Sequence, residues 1–117
     1  MILEKSNQVA NFFATFPRHR KLISINKGFT GFNDYEVNLR WDWNSLLSDS
    51  DGVMFKEFSE EYFPNADKMV EYLAAYTKKN KIQVAYNSDV KLISRPDNFL
   101  VETAAGKKYK ANKIIVA

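Results

Sequence analysis

The stretch from Asn65 to Ala117 constrains the fold more than any other, because helical and strand periodicities follow one another there in a fixed order. Asn65 has the side chain of an N-cap, and Asp67 puts a negative charge in the first turn, where the helix dipole favours it. Ala66, Met69, Val70, Leu73 and Thr77 fall at i, i+3, i+4, i+7 and i+11, which makes one apolar stripe. Lys78 and Lys79 complement the dipole at the other end, and Asn80 suits the left-handed position just past a helix. Ile82, Val84 and Tyr86 then alternate as in a half-buried strand. Val90 to Arg95, Phe99 to Thr103 and Lys107 to Ala111 read as short strands, separated by Arg95-Pro96-Asp97-Asn98 and Ala105-Gly106. Ile114-Ile115-Val116-Ala117 is continuously apolar, the pattern of a strand buried on both faces. Such a strand ordinarily feeds a ligand-binding loop, and the sequence stops before one, so the expectation is a piece of a larger domain.

The 117 residues suffice for one domain with a modest core, and 45% hydrophobic with 26% charged residues is the balance of a globular chain. No apolar run approaches the roughly 18 residues of a membrane span, and the N-terminus lacks a signal-peptide layout. A net charge of +3 permits weak attraction to phosphates without requiring nucleic acid. With no cysteine and a single histidine, His19, thiolate chemistry and Cys- or multi-His metal sites are excluded within the chain.

Upstream of Asn65 the regular periodicity is poor and the aromatics are dense. Met1-Ile2-Leu3-Glu4 reads as the end of a strand closed by an acid. Phe16-Pro17-Arg18-His19-Arg20 is a basic cluster behind a turn, either a solvated loop or a phosphate contact through Arg18 or Arg20. Leu22 to Ile25 is a short strand by composition, and Asn26-Lys27-Gly28 has turn chemistry. In Asn38-Leu39-Arg40-Trp41-Asp42-Trp43-Asn44 two tryptophans alternate with polar groups. They form either an aromatic wall for a planar ligand or anchors to the core. Ser48-Asp49-Ser50-Asp51-Gly52 is a loop without the spacing or terminal Glu of a calcium-binding EF-hand. Phe55, Phe58, Tyr62 and Phe63 have near-helical spacing, and Pro64 closes that segment. The sequence contains no GxGxxG, P-loop, GxSxG or HExxH motif, and no acid pair stands out for acid–base work.

The order of signals resembles the interior of the FAD-binding domain of flavin-containing monooxygenase-like flavoproteins. The residues that carry this are the strand ending in Glu4, the Phe16-Pro17 connector, the helix with Glu71-Tyr72-Leu73, Tyr86-Asn87-Ser88-Asp89-Val90, the hairpin, and Tyr109-Lys110-Ala111-Asn112-Lys113-Ile114-Ile115-Val116-Ala117. Within that group, FPRHRKLISINKGFTG and NLRWDWNSLLSD resemble the FAD-dependent oxidoreductase domain-containing protein 2 type. The resemblance implies an α/β fold: an incomplete Rossmann-like FAD-binding domain of parallel strands plus a small antiparallel meander, lacking its first strand–helix. Residues 1–64 would be the connector region, and 65–117 the helix, strand, meander and terminal buried strand.

The resemblance also implies FAD as cofactor, with NAD(P)H used by the complete parent protein. Glu4 would bind the adenosine ribose, with Lys5 beside it, and the backbone of Val90 would meet the adenine. Ala117 would begin the turn near the cofactor. Asn26, Arg40, Trp41 and Asp42 would lie on the isoalloxazine side. No catalytic residue and no metal is assigned. Because the glycine-rich pyrophosphate loop is not in this sequence, the chain by itself is expected to bind FAD poorly and to show no turnover. The implied location is the endoplasmic reticulum lumen for a close relative of the animal proteins, and otherwise the cytoplasm. Two other readings stand beside this one: a small basic α/β module stacking single-stranded nucleic acid on Tyr86 and Tyr109, and a non-catalytic remnant acting in interactions. Two tyrosines are a thin stacking platform, so FAD and NAD(P)H, not nucleic acid, are the expected partners.

Overall fold

The computed structural model describes residues 1–48 and 52–117, so the predicted loop Ser48–Gly52 lies in part, at Asp49, Ser50 and Asp51, outside the described residues. The fold is α/β, with a two-stranded parallel sheet and a three-stranded antiparallel one. Two compact units are present, one made of Met1–Gln8 with Gln83–Ala117, the other of Val9–Ile82. The long helix, which follows the connector and opens the C-terminal third of the sequence, belongs to the second.

In the first unit, β1 (Ile2–Leu3) pairs in parallel with β2 (Val84–Ala85), Ile2 opposite Val84 and Leu3 opposite Ala85. The ladder is held by the Ile2 amide donating to the Gln83 carbonyl at 2.8 Å and the Glu4 amide donating to the Ala85 carbonyl at 3.0 Å. The predicted strand Ile82–Tyr86 is thus narrowed to its centre, because only two of its residues find a partner. Beyond it Asn87 takes the left-handed conformation, φ 53°, which asparagine tolerates better than most side chains. β3 (Val90–Ser94), β4 (Phe99–Thr103) and β5 (Lys108–Ala111) form the expected meander in the order β3-β4-β5. Ile93, Val101 and Tyr109 are opposite one another across it, and Val101 is buried at its middle. Gly106, at φ 78°, supplies the positive φ that the β4–β5 turn requires.

Ile114–Ala117 departs from expectation. The run forms no strand, and Ile115 and Val116 are 96% and 78% exposed. A wholly apolar strand is stable only between neighbours that take its hydrogen bonds and cover both faces. Among the described residues the parallel sheet consists of β1 and β2 alone, so this stretch has neither.

In the second unit, α1 (Asn11–Thr15) packs against α3 (Ala66–Lys79). Leu22, Phe55, Ala66, Met69 and Tyr72 form the core, with Phe13, Phe58, Leu73 and Tyr76 packed on it. The Asn65 side chain accepts the Asp67 amide at 2.8 Å, as its N-cap position predicts. The predicted stripe is rotated slightly: Val70 and Leu73 are half-buried, while Tyr72 is fully buried, edge-on to both Phe55 and Phe58 at 5.7 Å. At the far end it is Lys81, φ 51°, and not Asn80, φ −85°, that turns left-handed. Asn80 instead donates its side-chain amide to the Tyr76 carbonyl at 2.9 Å.

Leu22–Ile25 is not a strand. The segment runs antiparallel beside the residues before α3 through an isolated bridge, Lys21 to Asn65, with Leu22 donating to Pro64 at 2.8 Å and Asn26 to Tyr62 at 2.9 Å. Pro64 has no amide to return, so the pairing cannot become a regular ladder. Phe55–Phe63 contains only one short 3₁₀ turn, Phe55–Glu57. The helix α2 (Tyr35–Trp41) was not anticipated, although Asp34 caps it by accepting the Val37 amide at 2.9 Å.

Candidate functional site

The first unit presents an acidic corner at the carboxyl end of β1. Glu4 leaves the parallel ladder, and its carbonyl accepts the Ser88 amide at 2.8 Å. Its carboxylate turns back onto the Ser6 amide at 2.7 Å. That amide, then the Ser6 hydroxyl, hold the carboxyl below its usual range against a smaller opposing effect of burial. Glu4 is therefore ionised, oriented and still partly exposed, which suits it to accept hydrogen bonds from hydroxyl groups. Lys5 beside it reaches Asp89 at 3.7 Å, and Lys91 reaches the same carboxylate at 2.8 Å. The hydrogen bond from Lys91, helped by the charge of Lys5, keeps Asp89 below its ordinary value. Val90 opens β3 directly after Asp89, so Glu4, Lys5 and Val90 are brought to one corner. Ala117 is exposed and outside any strand.

The second unit carries an aromatic shelf at the end of α2. Trp41 and Trp43 are 52% and 79% exposed, so of the two alternatives neither ring is an anchor to the core. Between them Asp42 is buried, and its carboxylate is fully committed: one oxygen accepts the Asn44 amide at 3.0 Å and the other the Ser45 hydroxyl. The Ser45 oxygen in turn accepts the Phe55 amide at 2.6 Å, and the Leu46 amide donates to the Tyr72 hydroxyl at 2.6 Å. The tryptophan segment is thus tied to the core and to α3 by side-chain hydrogen bonds. Asp42 shapes the shelf and does not face outward from it. Arg40, on the last turn of α2, is exposed.

Asn26 is buried, donates to the Ser59 carbonyl, and has a side-chain oxygen without a hydrogen-bond partner among the described residues. With Lys27, Phe29, Trp41, Glu60 and Tyr62 it lines an open cavity of about 760 Å³. Asn26 and Trp41 therefore share one concavity, whereas Arg40 and Asp42 are not part of its wall. Arg20, a candidate for phosphate, pairs instead with Asp67 in the first turn of α3. Among the described residues no three or more metal-ligating side chains cluster, and no helix is long and apolar enough to cross a membrane.

The residues that the sequence did not announce are Lys27, Ser6 and Tyr72. Lys27 places its ammonium 5.4 Å from the Trp41 ring and 4.7 Å from the Trp43 ring. Ser6 follows Glu4 by two positions, the spacing at which a carboxylate can accept a backbone amide, and that signal was legible. Tyr72 read as one more position on an amphipathic helix.

The sequence pattern of a family described as pyridine nucleotide-disulphide oxidoreductase matches residues 1–117, the whole chain. The chain belongs to that family. Two curated relatives of this chain are each named "FAD-dependent oxidoreductase domain-containing protein 2". The one from Mus musculus is 37% identical over 124 residues, covering 99% of this chain and 19% of the relative. The one from Danio rerio is 38% identical over 122 residues, covering 100% of this chain and 18% of the relative. The chain therefore spans about a fifth of the length of the relatives it matches.

Proposed function

We propose that this chain supplies the ribose and adenine side of an FAD site in an FAD-dependent, NAD(P)H-using oxidoreductase of the flavin monooxygenase-like type. The observation that carries the reading is Glu4: an ionised carboxylate at the carboxyl end of a parallel strand, oriented by the Ser6 amide and still open to solvent. In dinucleotide-binding folds an acid at the end of the second strand hydrogen-bonds the ribose hydroxyls. The residues present fit that role. Glu4 would accept from the ribose, while the Lys5–Asp89–Lys91 cluster fixes the loop that leads into Val90 on the adenine side. The bound flavin would supply the hydride and electron chemistry, which no side chain here can.

On the isoalloxazine side, Trp41 and Asn26 would furnish an apolar wall and an amide. Asp42 would act by setting the Trp41 backbone and Arg40 from the exposed end of α2. Ala117 would lie near the cofactor at the end of the chain.

The test uses the 117 residues in place of the matching segment of the mouse relative. The purified chimera should retain flavin, read from its visible absorbance, and Glu4→Ala in it should weaken FAD at least about tenfold, the equivalent of 1.4 kcal/mol. Undiminished flavin content with Glu4→Ala would overturn the ribose assignment. A flavin-free chimera that is folded by circular dichroism would overturn the FAD reading itself.

A further inference from the structure

The aromatic shelf holds a cation although carboxylates are at hand. The Lys27 ammonium is shared between two indole faces, and among the described residues it makes no ion pair, although Glu57 and Glu60 line the same cavity. Each indole presents a negative face to a cation, and two such faces around one charge make the core of an aromatic cage. Both rings remain largely open to solvent, so the space beside them is accessible to a ligand as well as to Lys27. The backbone between them is fixed by the buried Asp42 carboxylate, which sets the positions from which the two indoles project whether or not the ammonium is present. Lys27 itself sits among Asn26 and Gly28 on an irregular, turn-forming stretch, so its side chain is free to leave by rotation without breaking secondary structure.

We propose that Trp41 and Trp43 form a two-walled cage for an alkylammonium ligand, and that Lys27 is an internal stand-in for that ligand, occupying the cage at rest. An incoming cation takes the place of the Lys27 ammonium between the rings. Lys27 then turns to solvent or to the unpaired Glu60 carboxylate across the cavity. Phe29 and Tyr62 offer apolar surface to the body of the ligand. The resident lysine lowers apparent affinity by the fraction of time it occupies the cage, so removing it should tighten binding. This assignment does not rest on flavin binding, and it would stand if the FAD reading failed.

The chain provides its own probe, because its two tryptophans are both in the cage and all indole emission reports on it. Choline is titrated at constant ionic strength against its neutral isostere 3,3-dimethylbutan-1-ol, following indole fluorescence. The expected result is a saturable change with choline, none with the alcohol over the same range, and about tenfold tighter choline binding in Lys27→Met. Trp43→Leu should lose the response. Lys27 is half-buried and outside any helix or strand, and circular dichroism of Lys27→Met checks that the fold is retained. Equal responses to choline and the alcohol, no saturable response in Lys27→Met, or an affinity unchanged by that substitution would each overturn the proposal.

Discussion

Removing a single oxygen from Tyr72 should loosen the tryptophan shelf from α3. In Tyr72→Phe the ring keeps its edge-on contacts with Phe55 and Phe58, so the transfer and packing energy of the aromatic is retained. What is lost is the hydroxyl that accepts the Leu46 amide at 2.6 Å. A buried donor left unpaired costs about 1–3 kcal/mol, and because Leu46 is itself exposed, water recovers part of it, which sets the expectation at about 1–1.5 kcal/mol. With a urea slope near 1–1.5 kcal/mol/M for a protein this small, the midpoint should fall by roughly 1 M. Hydrogen exchange should show the Leu46 amide losing protection while amides within α3 keep theirs. Burial, opposed by the Leu46 hydrogen bond, holds the Tyr72 hydroxyl above its ordinary 10.0. Its contribution is therefore complete below that pH and is lost as pH rises through the higher folded value, so Tyr72→Phe should be the less alkali-sensitive protein. A midpoint within about 0.2 M of the parent, with Leu46 still protected, would refute the claim that this hydroxyl anchors the shelf.

Asn65→Ala removes the side chain that accepts the Asp67 amide and should cost about 1 kcal/mol in urea unfolding. Gly52→Ala would set a Cβ 1.3 Å from the Ser48 hydroxyl oxygen and 2.7 Å from that of Tyr35, so thermal unfolding should shift down by the equivalent of about 1–3 kcal/mol. Glu4 has a folded pKa below 4.5, so the stability it adds is full above that value and disappears as pH falls through the folded one. The difference in unfolding free energy between the parent and Glu4→Gln should accordingly shrink on acidification into that range, and a difference constant with pH would contradict the Ser6 hydrogen bond.

How much of this could be read from the sequence depended on how local each cause was. The α3 cap, the meander and its Gly106 turn rest on interactions between residues a few positions apart, and the residue types announce them. The strand at Met1–Glu4 was legible from its own residues, as was the alternation at Ile82–Tyr86, but neither segment says that it will pair in parallel with the other. The connector failed as a source of elements for the opposite reason. Leu22–Ile25 has the composition of a strand, but its partner segment contains Pro64, and one missing amide reduces a ladder to a single bridge. Ile114–Ala117 has the right composition too, and composition cannot supply neighbouring strands.

The tryptophans show where residue types mislead. An indole in a poorly periodic segment is usually core, yet here the polar residue between the two is buried and the rings are exposed. The energetic order explains the inversion. A buried Asp42 whose two oxygens accept the Asn44 amide and the Ser45 hydroxyl has its desolvation offset by charged hydrogen bonds to its own turn. With Asp42 turned inward where α2 ends, Trp41 on the last turn of the helix and Trp43 in the turn that follows are left on the outside. Once outside, each indole recovers only about 0.5–1 kcal/mol from the shared Lys27 ammonium. That is less than the roughly 1.5–3 kcal/mol gained by burying a large apolar side chain. The shelf therefore holds two large rings in water at a net cost to the isolated fold, and a ligand seated on them would recover it.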